Sequence, residues 1–265
     1  MSSNPVVIRP CRGFEEIEAC VQMQADVWGY RDWDVIPRRV FVVSQKIGGQ
    51  VFGAFDGDKL VGFAMALPGV SQGQPYLHSH MLAVNPDYRN QGIGRRLKLV
   101  QRDEALARGI HRMEWTFDPL EIKNSFLNLS KLGAIVRRYA VNFYGVSSSR
   151  LHGQVPTDRL YAEWWLDSDW VCSALNGKPM VVPAVEQEIV VPHQIAHWRH
   201  SPVDQERVLD IQTRNREQFQ QAFACRLAVV GFRIDREGNG VFQLGRWQEP
   251  FDSSQSLQPV SGRCS

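Results

Sequence analysis

Cysteine is sparse and never clustered: Cys11, Cys20, Cys172, Cys225 and Cys264 stand singly, with no CxxC pair among them. That spacing excludes a thiolate zinc site or a dithiol redox centre and suits reduced thiols in a cytoplasm. An excess of charge is also missing, because 30 Lys and Arg face 28 Asp and Glu. The resulting formal charge of +2 supplies no global field for nucleic acid or an anionic membrane. Long apolar runs are absent as well. No run of about 18 apolar residues occurs, and the opening MSSNPVVIRP has no basic segment leading into one, so neither a membrane span nor an export signal is expected. No solenoid-like repeat is found.

What remains is a 265-residue chain with 43% hydrophobic and 10% aromatic content, enough for one large core or two smaller ones. Short β-branched and aromatic runs alternate with amphipathic windows, which predicts a mixed fold. Strands are expected at 6–9, 51–55 and 60–67, the last two forming an antiparallel hairpin around Asp56 and Gly57. Helices are expected at 14–27, on Phe14, Ile17 and Val21, and at 37–46 after Pro37. Alternation over 75–84 predicts a strand with Tyr76, His78, His80 and Leu82 on one face.

A glycine-rich turn then opens a helix with Ile93, Leu97 and Val100 inward and Gly109 as its stop. Met113, Trp115 and Phe117 mark another strand, and Pro119 is expected to open a helix that buries Ile122, Phe126 and Leu129 and closes at Gly133. Strands at 135–143 and 159–166 flank a polar stretch at Ser147, Ser148 and Ser149. Beyond them the chain is proline-punctuated, with a helix near 205–223, a strand pair at 227–234 and 240–244, and a polar tail read as frayed from Glu249. This last third, with Trp198, Arg199 and Trp247, either covers a cleft, mediates a dimer or completes the sheet.

A strand, a turn rich in glycine and then a helix aim several unpaired backbone N–H groups at one point, which attracts phosphate. Gly92 and Gly94 permit close approach, and Arg89 and Arg95 add charge. The run has neither the Lys-Ser/Thr of a P-loop nor the third glycine of a dinucleotide fingerprint, so triphosphates and NAD are disfavoured.

The stretch Leu82-Ala83-Val84-Asn85-Pro86-Asp87-Tyr88-Arg89-Asn90-Gln91-Gly92-Ile93-Gly94 resembles the acetyl-CoA signature of the GNAT superfamily, Arg/Gln-x-x-Gly-x-Gly/Ala. The resemblance extends from about residue 6 to residue 166. It implies an α+β GNAT fold, a mixed and mostly antiparallel sheet flanked by helices, followed by a C-terminal α/β extension. The corresponding division is 1–168 for an acyl-CoA-binding domain, 169–248 for the extension and 249–265 for a flexible tail. It also implies that Leu82, Ala83 and Val84 hold the pantetheine arm through their backbone. Arg89, Asn90, Gln91, Gly92, Ile93, Gly94 and Arg95 would hold the pyrophosphate, with the Leu82 N–H polarising the thioester carbonyl. Acetyl-CoA as acyl donor, no metal, a small-molecule or peptide amine as acceptor and a homodimer as one mode of assembly complete the expectation.

Acylating an amine requires removing a proton from an ammonium whose pKa is ordinarily ~10.4, and imidazole suits that task. His78 and His80 precede Leu82 at a spacing similar to the paired histidines of the serotonin N-acetyltransferase branch of the family. The ordinary alternative is two hydrogen-bonded strand histidines. One departure stands out, for Leu129 occupies the place where many family members carry the tyrosine that protonates the leaving thiolate. Tyr139, Tyr144 or water are the substitutes. Asn124, four residues before Asn128 on the same helix face, either bonds the pantetheine arm or is one of two polar surface residues. The segments around Asp118-Pro119-Leu120, Asn128-Leu129 and Tyr144-Gly145 resemble a bacterial GNAT subgroup with a C-terminal extension.

Trp28, Tyr30, Asp32, Trp33 and Asp34 fall where the family borders its acceptor pocket, and aromatics with carboxylates suit a cationic amine; core packing is the competing reading for the tryptophans. Three functions therefore compete: amine acylation, supported by the histidine pair; a non-catalytic acyl-CoA sensor or scaffold, supported by Leu129; and aminoacyl transfer, which the near-neutral charge disfavours.

Overall fold

The computed structural model describes residues 5–30, 33–145, 155–178 and 183–247. It opens with strand β1 (Val7–Pro10) and helix α1 (Gly13–Trp28), which ends on left-handed Gly29, φ 66°, and buries Ile17, Cys20, Met23 and Gln24. Helix α2 (Arg38–Lys46) begins directly after Pro37. The connection between these helices is held by the buried Gln24 amide, which donates to Ile36 O at 3.0 Å and accepts the Ile36 N–H at 2.8 Å. Strands β2 (Gln50–Asp56), β3 (Lys59–Ser71) and β4 (Gln74–Val84) follow, then helix α3 (Ile93–Ala107) and strand β5 (Arg112–Phe117). Helix α4 (Ile122–Ser125) widens into a π-turn over Phe126–Lys131 before strands β6 (Ile135–Ala140) and β7 (Arg159–Trp165).

The remainder comprises α5 (Asp169–Leu175), β8 (Gln187–Val191), α6 (Ile195–Trp198), α7 (Gln205–Ala224), β9 (Leu227–Ile234) and β10 (Gly240–Arg246). The described residues form one ten-stranded sheet in the order β1-β2-β3-β4-β5-β7-β6-β9-β10-β8. Among the described residues every pairing is antiparallel except that of β4 with β5. The C-terminal strands join through Val136 of β6 opposite Val229 of β9, so of the three roles open to the extension, completing the sheet is the one observed.

One apolar cluster lies under α1 and α2, joining Ile17 and Phe41 to Phe63, Met65, Met81 and Ala83. A second lies under α3, where Ile93 and Leu97 meet Ala54, Val61, Ala64, Leu82 and Val84. The largest runs from Leu77, Met113 and Trp115 through Leu129 and Trp164 to Phe219 and Phe242, and so spans both parts of the chain.

Three expectations are corrected. Pro119 does not open a helix; it sits in a turn fixed by Asp118 Oδ1, which accepts the Leu120 N–H at 2.8 Å, and helix starts only at Ile122. The strand expected over 135–143 stops at Ala140, because Asn142 turns left-handed at φ 47° and its N–H goes to Asp158 Oδ1 at 2.9 Å. Elements α5, β8 and α6 were not expected; each is short, and α5 relies on a local cap in which Ser168 Oγ accepts the Val171 N–H at 3.3 Å. Asp32, the polar Ser147–Ser149 stretch and the tail from Glu249 lie outside the described residues.

Candidate functional site

Strands β4 and β5 meet only where Leu77 lies beside Met113 and His78 beside Glu114; after that they separate. The cause is local. Met81 pairs with Met65 but Ser79 pairs with Ala66, so His80 is an extra residue, a β-bulge that twists the strand away from its neighbour. The bulge also overturns the expected face. Leu77 and Ser79 look toward α3, yet beyond His80 that face is taken by Leu82 and Val84, while Met81 and Ala83 pack under α1 and α2. Tyr76, His78, His80 and Leu82 therefore do not share one face.

The gap exposes backbone. The Asn85 N–H bonds Val61 O of β3 at 2.9 Å, so by alternation the N–H and C=O groups of Leu82 and Val84 point away from β3 and into the space left by β5. Ala83 instead spends its amide on β3. The open edge beside Leu82 has the shape and polarity of an extended amide chain.

At the end of β4 the chain makes a short 3₁₀ turn over Pro86–Tyr88, in which Asn85 Oδ1 accepts the Asp87 N–H at 3.0 Å and the Tyr88 hydroxyl donates to Asp56 at 2.7 Å. Asn90 and Gly92 both adopt left-handed backbone, φ 61° and 75°, and swing the chain into α3. The first helical bond runs from Arg96 N–H to Gly92 O at 3.0 Å, and α3 has neither a side-chain cap nor an acidic residue in its first turn. The N–H groups of Ile93, Gly94 and Arg95 consequently point outward together.

A side chain at Gly92 would meet nothing within 4 Å, and one at Gly94 would touch only Leu82 and Val84, at 3.8 and 3.9 Å. Uncapped donors around open space fit a diphosphate. Arg89, Asn90 and Gln91 are exposed at the rim, with Arg89 Nε reaching Val84 O at 3.4 Å. Arg95 differs: its backbone belongs to the turn, but its guanidinium donates to Leu175 O at the end of α5, 2.8 Å away.

His78 and His80 are partly buried on β4 where its pairing with β5 ends, their ring centroids 6.0 Å apart and tilted by 42°. Burial, aided by His80, Lys98 and Arg138, pushes His78 down to about 4, and burial pushes His80 down as well. Both are neutral at pH 7, with a nitrogen lone pair available but with weakened basicity.

The same corner holds a residue that sequence reading missed. Lys98, on α3, is 2% exposed; its Nζ donates to Ser79 Oγ at 2.7 Å and sits 3.6 Å from the Trp115 ring centroid. Ser79 in turn donates to Gln101 Oε1 at 2.9 Å. Among the described residues no carboxylate pairs with Lys98, and burial holds its amine well below the ordinary lysine range. The available signal was spacing, for Lys98, Gln101 and Ala105 form a second inward stripe beside Ile93 and Leu97.

Elsewhere, Asn124 is exposed and its Oδ1 accepts from the buried Asn128 at 3.3 Å, while Leu129 is fully enclosed in the largest core. Of the two tyrosines near the gap, Tyr139 donates to Asp158 at 2.7 Å and burial pushes its hydroxyl up, whereas Tyr144 meets Thr116 Oγ1 of β5 at 3.1 Å. Trp28 stacks on Tyr30 at 5.4 Å and meets Phe63 edge-on at 6.3 Å; Trp33 is 72% exposed. The tryptophan pair thus splits into one core residue and one surface residue.

Residues 17–124 match the acetyltransferase (GNAT) family, and the sheet and helices over that stretch have its α+β fold. The protein smu.2055 of Streptococcus mutans UA159 superposes with a TM-score of 0.50 at 18% identity, over 61% of this chain and 99% of that one. The yncA protein of Salmonella typhimurium, solved with acetyl-CoA, gives 0.49 at 20% identity over 62% and 95% of the two chains. The ribosomal-protein-S18-alanine N-acetyltransferase of Escherichia coli gives 0.48 at 19% identity over 60% and 93%. No curated protein sequence matches the chain. Among the described residues no helix is long and apolar enough to cross a membrane, and no group of three or more His, Cys, Asp or Glu is close enough together to hold a metal.

Proposed function

We propose that the protein transfers an acetyl or short acyl group from acetyl-CoA directly to an amine of a small molecule or peptide, in the cytoplasm. The observation that carries this reading is the continuity of two backbone features. The gap-facing amides of Leu82 and Val84 lead straight to the uncapped N–H groups of Ile93, Gly94 and Arg95. A coenzyme laid along that line has its pantetheine arm in the place of a missing strand and its pyrophosphate at the helix start, with Arg89, Asn90, Gln91 and Gly92 around it. Coenzyme A supplies an activated thioester; the protein orients it and excludes water. The Leu82 N–H is aimed where an oxyanion would form, and Asn124 stands at the helix beyond β5.

The acceptor enters from the side of Trp28, Tyr30 and Tyr144. His78 and His80, neutral at pH 7, take the amine's proton through water, which a nitrogen of low basicity does only as the amine's own acidity rises on bond formation. Two observations favour a second reading, an acyl-CoA sensor without turnover: Leu129 offers no hydroxyl, and His78 is a weak base. Calorimetric titration with acetyl-CoA, followed by a thiol-release screen over amines, separates the two. Thiol release with at least one amine supports the enzyme; binding without release across a wide panel supports the sensor; no binding rejects both.

A further inference from the structure

At the narrow end of the β4–β5 gap the Lys98 amine has more N–H groups than its one hydrogen-bond acceptor takes up. Lys98 Nζ bridges the first residues of the two strands beyond their last pairing, bonding Ser79 of β4 and resting on the face of Trp115 of β5. An amine carries at least two N–H groups, and Ser79 accepts only one of them. Burying an amine with so little compensation is costly, and a fold under no other demand does better with Met or Leu there. Leu129 is apolar, Tyr139 is committed to Asp158 and Tyr144 meets Thr116, so none of these three takes the position.

We propose that Lys98 is the sulfur-binding residue of the site: its free N–H receives the coenzyme's sulfur at the end of the gap and stabilises the negative charge that grows there. This rests on the coenzyme reading given above. In the transfer step the acceptor nitrogen bonds to the acyl carbon and the carbon–sulfur bond breaks. Its electron pair stays on sulfur as thiolate, and the nitrogen's proton leaves on the histidine side to solvent. Lys98 donates to the thiolate in a dry pocket beside an indole face, where such a bond is stronger than in water. Burial lowers the amine's pKa, so the site gains when an anion is placed beside it.

Titration of the full chain with coenzyme A and with desulfo-coenzyme A tests the assignment without an acceptor. Wild type is expected to bind coenzyme A roughly tenfold or more tightly than the desulfo form, the worth of one hydrogen bond to a charged group. Lys98→Met should bind both alike, with its affinity for the desulfo form unchanged. Should Lys98→Met not fold, Lys98→Gln, whose amide stops short of the gap, takes its place. Equal affinities in wild type, or a preference that survives in the variant, would overturn the role of Lys98 while leaving the coenzyme site standing. Failure of wild type to bind either compound would overturn the coenzyme reading and this assignment with it.

Discussion

Arg199 Nη2 lies 2.7 Å from Asp118 Oδ2, and its Nη1 lies 2.6 Å from Glu121 Oε1, so a residue of the C-terminal extension pins the turn between β5 and α4. Arg199 is 3% exposed and Asp118 is 8% exposed, and Arg159 approaches the same Asp118 oxygen at 3.8 Å. Removing the arginine takes away the cation 2.7 Å from this buried carboxylate. Arg199→Met should therefore cost about 3 kcal/mol in urea unfolding, and adding Asp118→Asn should recover part of it. A loss below about 1 kcal/mol would show that the turn holds itself.

Acid sensitivity follows from His78. Its pKa is about 4 when folded against an ordinary ~6.5, so the unfolded chain binds more protons between those values. The native state is favoured fully above that window and loses stability as pH falls through it, by up to about 3 kcal/mol. In His78→Gln the slope of unfolding free energy between pH 6.5 and pH 4 should be shallower, by roughly the slope of one proton. An unchanged slope would mean that His78 titrates freely.

Lys98 predicts the opposite end of the scale. The unfolded amine stays protonated up to its ordinary ~10.4, while the folded one sheds its proton well below that, so wild-type stability should rise with pH between the two values. Lys98→Met should lack that rise and be more stable than wild type at pH 7, by about 1 kcal/mol or more. Thermal melts at several pH values measure it; a variant less stable at every pH would make the amine a net structural contributor.

The aromatic loop divides by packing. Trp28 lies against Tyr30 and Phe63, so Trp28→Ala should cost about 3 kcal/mol. Trp33 is 72% exposed, so Trp33→Ala should stay within about 0.5 kcal/mol and leave coenzyme affinity unchanged. Urea unfolding of the pair decides between these assignments.

The turn into α3 was readable from the chain because it is local. The left-handed turn at Asn90 and Gly92 and the uncapped start of α3 follow from residue types that tolerate such backbone. The bulge at His80 was not readable, since it depends on which β3 residues face β4, and one added residue reverses every side chain beyond it. Lys98 escaped notice because a single lysine in a helix ordinarily reads as surface. Pairing of β9 with β6 is equally invisible in sequence: Val136 and Val229 lie far apart along the chain and meet at one register position.

That last pairing limits self-association. With β6 already hydrogen-bonded to the chain's own β9, a second copy cannot lengthen the sheet there, and β1 and β8 are the margins left for it. Among the described residues, twofold assembly through backbone zippering would pair like margins, β1 with β1 or β8 with β8, far from the β4–β5 gap in the middle of the strand order.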